Sequence, residues 1–126
     1  MDDTADGLDV VIRDDEDGRT ISCLGELHSG TRSVLDDALR GALAARPDRL
    51  HIDCGRLSFV SPGGIETLLD AAVRAGAEGV ALTMTFNRQM QRLFERVGLW
   101  WLGGPVSGAV AEAAMLRVLG HVLAAV

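Results

Sequence analysis

Aromatic side chains make up only 4% of this 126-residue sequence, which leaves little material for stacking nucleic-acid bases. Cations are also in short supply, with 12 Lys and Arg against 18 Asp and Glu and a net charge of -6. Binding to a phosphate backbone needs clustered Lys and Arg. No cluster is evident along the chain, so no nucleic-acid partner is expected. There are only two cysteines, Cys23 and Cys54, without the short spacing of a metal site. Each falls in a run that reads as a strand or its end, where free Cys behaves as a small hydrophobe. Two separate thiols in a reducing compartment are therefore expected. The histidines His28, His51 and His121 show no ligand spacing, so no metal is expected. Gly63-Gly64 is not followed by the Gly-Lys-Ser/Thr of a phosphate-binding loop, and no cofactor is expected. Met1 to Asp6 is acidic and lacks the basic and apolar regions of a signal peptide. The expected localisation is cytoplasmic. The apolar stretch Val106 to Val126 approaches the length of a membrane span, but Glu112, Arg117 and His121 interrupt it. Charges within a lone span are costly, so the stretch reads as a helix buried against the domain or a partner, without membrane insertion.

What is present suits one globular domain over residues 1–126, at 48% hydrophobic and 24% charged. Residues 1–7 are expected to be flexible and 106–126 to form a C-terminal helix. Asp9 to Arg13 and Thr20 to Leu24 read as strands flanking the turn-prone Asp14-Asp15-Glu16-Asp17-Gly18. After the loop Gly25 to Gly30, residues Val34, Leu35, Ala38, Leu39, Ala42 and Leu43 repeat at helical spacing. Arg46-Pro47 ends that helix, because a residue before proline resists helical geometry. Leu50 to Cys54 reads as a strand with Asp53 structural at its exit. Ser61 fits an N-cap and Pro62 the first helical position, where the missing N–H costs nothing. Ile65, Leu68, Leu69, Ala72, Val73 and Gly76 continue that second helix. Val80 to Thr85 is a further strand. A third helix runs from Asn87 with Met90, Leu93, Phe94 and Val97 on one face, and Gly98 suits the left-handed position after it. Trp100-Trp101-Leu102 reads as a short strand, and Gly103-Gly104-Pro105 as a break before the last helix. The order ββαβαβαβα predicts an α/β fold, a mixed sheet of about five strands with amphipathic helices packed on it.

Four pieces of this sequence resemble the STAS family, whose fold has the same order. Gly25-Glu26-Leu27-His28 is similar to the Gly-Glu-Leu-Asp before that family's first helix. Leu50 to Cys54 followed by Leu57-Ser58-Phe59-Val60 is similar to its central strand. Ser61-Pro62-Gly63-Gly64-Ile65 stands where the family has Asp-Ser-(Ser/Thr/Ala)-Gly-Leu. Met90 with Arg92-Leu93-Phe94 and Val97-Gly98-Leu99 resembles its third helix and exit. The resemblance covers about Leu8 to Leu102. It implies a binding module of the anti-sigma factor antagonist type, whose partner is an anti-sigma factor of the serine-kinase type. In such proteins the serine after the aspartate is phosphorylated, and this blocks binding. A helix N-terminus stabilises phosphate through its free N–H groups and dipole, while the added charge alters the surface a partner must bury.

Three positions depart from the family pattern. Pro62 occupies the phosphoacceptor position and has no hydroxyl, Ser61 replaces the aspartate, and His28 replaces the aspartate of the first loop. Ser61 then has three readings: a helix cap, a phosphoacceptor displaced by one residue, or a nucleophile paired with His28. The last needs a third orienting group and an oxyanion site that the sequence does not supply, so no catalytic residue is expected and the chain reads as a non-enzyme. The partner surface implied by the resemblance comprises His28, Ser61, Pro62, Gly63 and Gly64, with the exposed side of the second helix. The alternative is a scaffold subunit of a transport or signalling complex, with the apolar last helix as an interface, for instance in a homodimer.

Overall fold

The computed structural model describes residues 7–16 and 18–124. Strands β1 (Leu8–Asp15) and β2 (Gly18–Leu27) form an antiparallel hairpin. Helix α1 (Arg32–Ala44) and β3 (Arg49–Val60) follow, then α2 (Pro62–Ala77), β4 (Ala81–Phe86) and α3 (Arg88–Arg96). A single 3-10 turn at Trp100–Leu102, strand β5 (Gly104–Val106) and helix α4 (Gly108–Ala124) complete the order. The five strands lie in sequence order across one sheet. The pairs β2–β3 and β3–β4 are parallel, and β4–β5 is antiparallel.

Period-two alternation divides the sheet into two unlike faces. Ile21, Cys23, Leu50, Ile52, Cys54, Leu82, Met84 and Phe86 are buried on one face. There they meet Leu35, Leu39 and Ala42 of α1 and Leu68, Leu69 and Ala72 of α2 in one core. The opposite face carries Thr20, Ser22, His51, Asp53, Thr83 and Thr85, which are half-buried or exposed. Thr85 donates to Asp53 Oδ1 at 3.2 Å, and the His51 ring lies between Thr85 Oγ1 (3.2 Å) and Thr83 Oγ1 (2.6 Å).

Several boundaries differ from the sequence reading. β1 and β2 are longer than expected, so that Gly25 to Leu27 are strand and not loop, and β4 is shifted by one residue. β3 runs on to Val60 instead of ending at Cys54, so Asp53 lies within the strand, where its Oδ1 also accepts from the Gly55 N–H at 2.9 Å. The register against β2 shifts between Ser22 and Leu24 and again between Gly25 and Glu26. Such irregularities break strict alternation, and the buried positions become Cys54, Leu57 and Val60. The Trp100–Leu102 segment is a 3-10 turn, and the fifth strand is the glycine-proline segment after it. Gly98, at φ +77°, turns the chain out of α3, and the Leu99 N–H returns to Phe94 O at 2.7 Å. This is the predicted helix stop, and it leaves Leu102 buried but Trp100 71% exposed. Val97 is also exposed and not on the buried face of α3. Pro105 is accommodated because β5 lies at the sheet edge, where a missing donor is tolerated.

Helix α4 begins at Gly108 and not at Val106, which belongs to β5. It crosses α2 at a pair of glycines. A Cβ on Gly108 would lie 3.0 Å from both Ala72 O and Gly76 Cα. Ala111 and Ala114 are buried in the same contact, whereas Val110 and Leu116 are exposed. The last helix thus packs on its own domain through small residues. Among the described residues, no helix is long and apolar enough to cross a membrane. Of the segment expected to be flexible, residues 1–6 lie outside the described residues, as do 125 and 126 of the expected last helix.

Candidate functional site

The C-terminal ends of β2 and β3 lie side by side, paired at Leu27↔Val60. The loop after β2 and the start of α2 are therefore neighbours, which brings His28 and Ser61–Gly64 to one end of the sheet. The Ser61 N–H donates to Leu27 O at 3.0 Å and fastens the two exits together. Ser61 has extended backbone geometry, and its Oγ accepts from the Gly64 N–H at 3.1 Å. That is the predicted N-cap. Pro62 is exposed at the first helical position.

The two glycines that follow allow the helix start to sit against the first loop. A Cβ on Gly63 would lie 3.3 Å from Ser29 N and Cβ. One on Gly64 would run into the Leu27 carbonyl oxygen and approach Val60 Cγ2 to 2.9 Å. Any larger side chain at Gly64 must push α2 away from β2.

His28 is held by its own loop. Its Nδ1 accepts from the Gly30 N–H at 3.0 Å. In the neutral ring this places the proton on Nε2. An aspartate in a turn can make the same bond to the N–H two residues on, so the histidine can order this loop as an aspartate would. Thr31 completes the loop. Its hydroxyl accepts from the His28 N–H at 3.1 Å and donates to Glu26 O at 2.9 Å, and the residue is fully buried. Nothing in the local sequence singles out Thr31, which stands at the N-cap position of α1. Its side chain makes no capping bond to that helix and orders the His28 loop instead.

His28 and Ser61 are thus neighbours by loop and not by hydrogen bond, each bonding within its own turn. No group of three or more His, Cys, Asp or Glu able to hold a metal occurs among the described residues. The cysteines are two free thiols, as expected, and the fold brings them close together. Cys23 and Cys54 are both free and buried on adjacent strands. The hydrogen bond with Cys23, then burial, pushes the Cys54 thiol well above its ordinary range.

The family model described as Mlab, STAS domain matches residues 11–101. The chain belongs to the STAS family. No curated protein sequence matches it. Among solved structures, it is similar to an anti-sigma factor antagonist from Mycobacterium paratuberculosis, with a TM-score of 0.66 and 22% identity over 75% of this chain and 80% of that one. The anti-sigma factor antagonist SpoIIAA in its unphosphorylated form gives a TM-score of 0.61 and 17% identity over 89% of this chain and 97% of that one. An antisigma-factor antagonist STAS domain from Rhodobacter sphaeroides gives 0.52 and 21%, over 68% of this chain and 91% of that one. These likenesses establish the STAS fold, a five-stranded mixed sheet with four helices.

Proposed function

We propose that this STAS domain is a binding module of the anti-sigma factor antagonist kind, and not an enzyme. Its partner is an anti-sigma factor of the serine-kinase type, met in the cytoplasm. The partner surface is the His28 loop, the Ser61–Gly64 turn and the exposed side of α2. One observation carries the reading: both loops at this end of the sheet are held in fixed turns, with an exposed Pro62 where the family's phosphoacceptor stands. A preordered surface binds without the cost of ordering it. Proline leaves the helix start without an acceptor hydroxyl, and the Ser61 hydroxyl already serves as the cap. Binding is therefore independent of the usual serine phosphorylation.

The test is titration calorimetry against a kinase-type anti-sigma factor, with and without ATP, followed by intact-mass measurement. The expected result is the same affinity in both titrations and no added phosphate. ATP-dependent loss of binding with phosphate on Ser61 would refute phosphorylation-independence, and absence of binding would refute the partner. A scaffold role is the second reading, favoured by Val110 and Leu116, exposed on α4 at 44% and 63%. Light scattering of Leu116→Glu beside the parent separates the two, because a homodimer through α4 would become a monomer.

A further inference from the structure

β4 accompanies β3 only as far as Cys54↔Phe86, which leaves residues 55–60 of β3 without a strand on that side. Asn87 closes part of this edge. Its Nδ2 donates to Leu57 O at 2.8 Å while its Oδ1 caps α3 through the Met90 N–H at 2.9 Å. Between the remaining edge and α3 lies a groove of about 230 Å³, lined by Phe59, Val60, Met90, Leu93 and Arg96. Phe59 is half exposed there. Val60, at one end of this lining, is followed directly by Ser61 in the chain.

Along α3, Arg88, Arg92 and Arg96 recur at four-residue steps and form a stripe whose last member, Arg96, lines the groove. All three are exposed, and none has an ion-pair partner among the described residues, although the chain carries a net charge of -6. Of the nine other arginines, Arg19, Arg32, Arg40 and Arg74 face an aspartate, and what sets Arg88, Arg92 and Arg96 apart is their regular spacing on one helix. Like charges at i,i+4 destabilise a helix, so the stripe works against the element that carries it.

We propose that this groove and stripe form a docking site for an acidic segment of a partner protein. An aliphatic side chain of that segment enters the Phe59–Leu93 slot while its carboxylates meet Arg92 and Arg96. The guanidinium fork matches a carboxylate in two-point fashion. All 12 cations of the chain are arginine, as the sequence contains no lysine. The overall negative charge disfavours extended polyanions such as nucleic acid or an anionic membrane, whose attraction depends on a broad positive field. A short acidic segment needs only the local stripe. Assigning the segment to the anti-sigma factor rests on the function proposed above.

The test is fluorescence anisotropy with a labelled peptide of repeated Asp-Glu-Leu triads and a Lys-Lys-Leu counterpart. Circular dichroism verifies the fold of every variant. The acidic peptide is expected to bind, weakening about tenfold in R92E/R96E and with rising salt. Phe59→Ala is expected to weaken it too, and R40E/R117E, with the same charge change elsewhere, to leave it unaltered. No binding, equal binding to R92E/R96E, or preference for an oligonucleotide or phosphatidylglycerol vesicles would overturn the proposal. The same variant is then titrated with the anti-sigma factor. Reduced affinity supports the assignment. Unchanged affinity overturns the assignment alone, and no binding by the parent chain overturns the proposed function while the peptide result upholds the groove.

Discussion

Two glycine-to-alanine substitutions should move stability in opposite directions, and the packing around Gly64 gives the reason. Gly41 lies in the exposed part of α1, and a Cβ there would meet nothing within 4 Å. Alanine at such a site restricts the unfolded chain and favours helix, a gain of about 0.5–1 kcal/mol. Gly64 is also helical but buried, with the Leu27 carbonyl oxygen and Val60 Cγ2 in the space a methyl would fill. Neither neighbour yields easily. The carbonyl belongs to β2 and accepts the Ser61 N–H, and Val60 is itself buried. Overpacking of this kind costs roughly 1–3 kcal/mol, which exceeds the helix gain of about 0.5–1 kcal/mol. The two variants should therefore differ by about 2 kcal/mol, or about 8 °C in Tm for a domain of this size. Urea unfolding followed by circular dichroism gives the comparison directly, with Gly41→Ala above the parent and Gly64→Ala below it. A Gly64→Ala protein at or above the parent midpoint would refute the close approach of α2 to β2.

Ser61→Ala should cost about 1 kcal/mol through loss of the N-cap, and Ser61→Asp should retain most of it, as urea midpoints would show. His28→Ala should speed amide exchange at Gly30, while His28→Asp should preserve protection, measured by exchange NMR. Arg19, hydrogen-bonded to Asp14 at the hairpin tip, holds the Asp14 carboxyl below its ordinary range. The pair's stabilisation is present above the unfolded carboxylate pKa and lost as pH falls through the depressed value. An NMR pH titration should find Asp14 titrating low in the parent and near normal in Arg19→Ala. Cys23 and Cys54 should resist iodoacetamide at neutral pH until urea unfolds the protein, because both thiols are buried away from the reagent. Mass spectrometry would read any early labelling.

The parts legible in the sequence were those governed by local chemistry. Ser61 and Pro62 announced the start of α2, and Asn87 and Gly98 bracketed α3, because caps and left-handed turns depend on a few adjacent residues. The full extent of β3 was hidden, since its register shifts break the alternation that identifies a strand. Trp100–Leu102 looked like a strand because apolar triplets suit either class, and the turn set by Gly98 decided the matter. The loop role of Thr31 depends on the carbonyl of Glu26, which only the folded loop brings within reach. Arg88, Arg92 and Arg96 escaped a search for contiguous cations, yet their spacing of four becomes a stripe once the segment is helical.

The glycine crossing of α2 and α4 also bears on how the protein is made. During synthesis every strand of the sheet emerges from the ribosome before α4 does. Until then the groove along Ala72 and Gly76 has no helix to fill it, and the nascent sheet carries an uncovered seam over its second helix. Domain closure is thereby deferred until α4 has been translated. A nascent chain halted before α4 should therefore stay sensitive to protease.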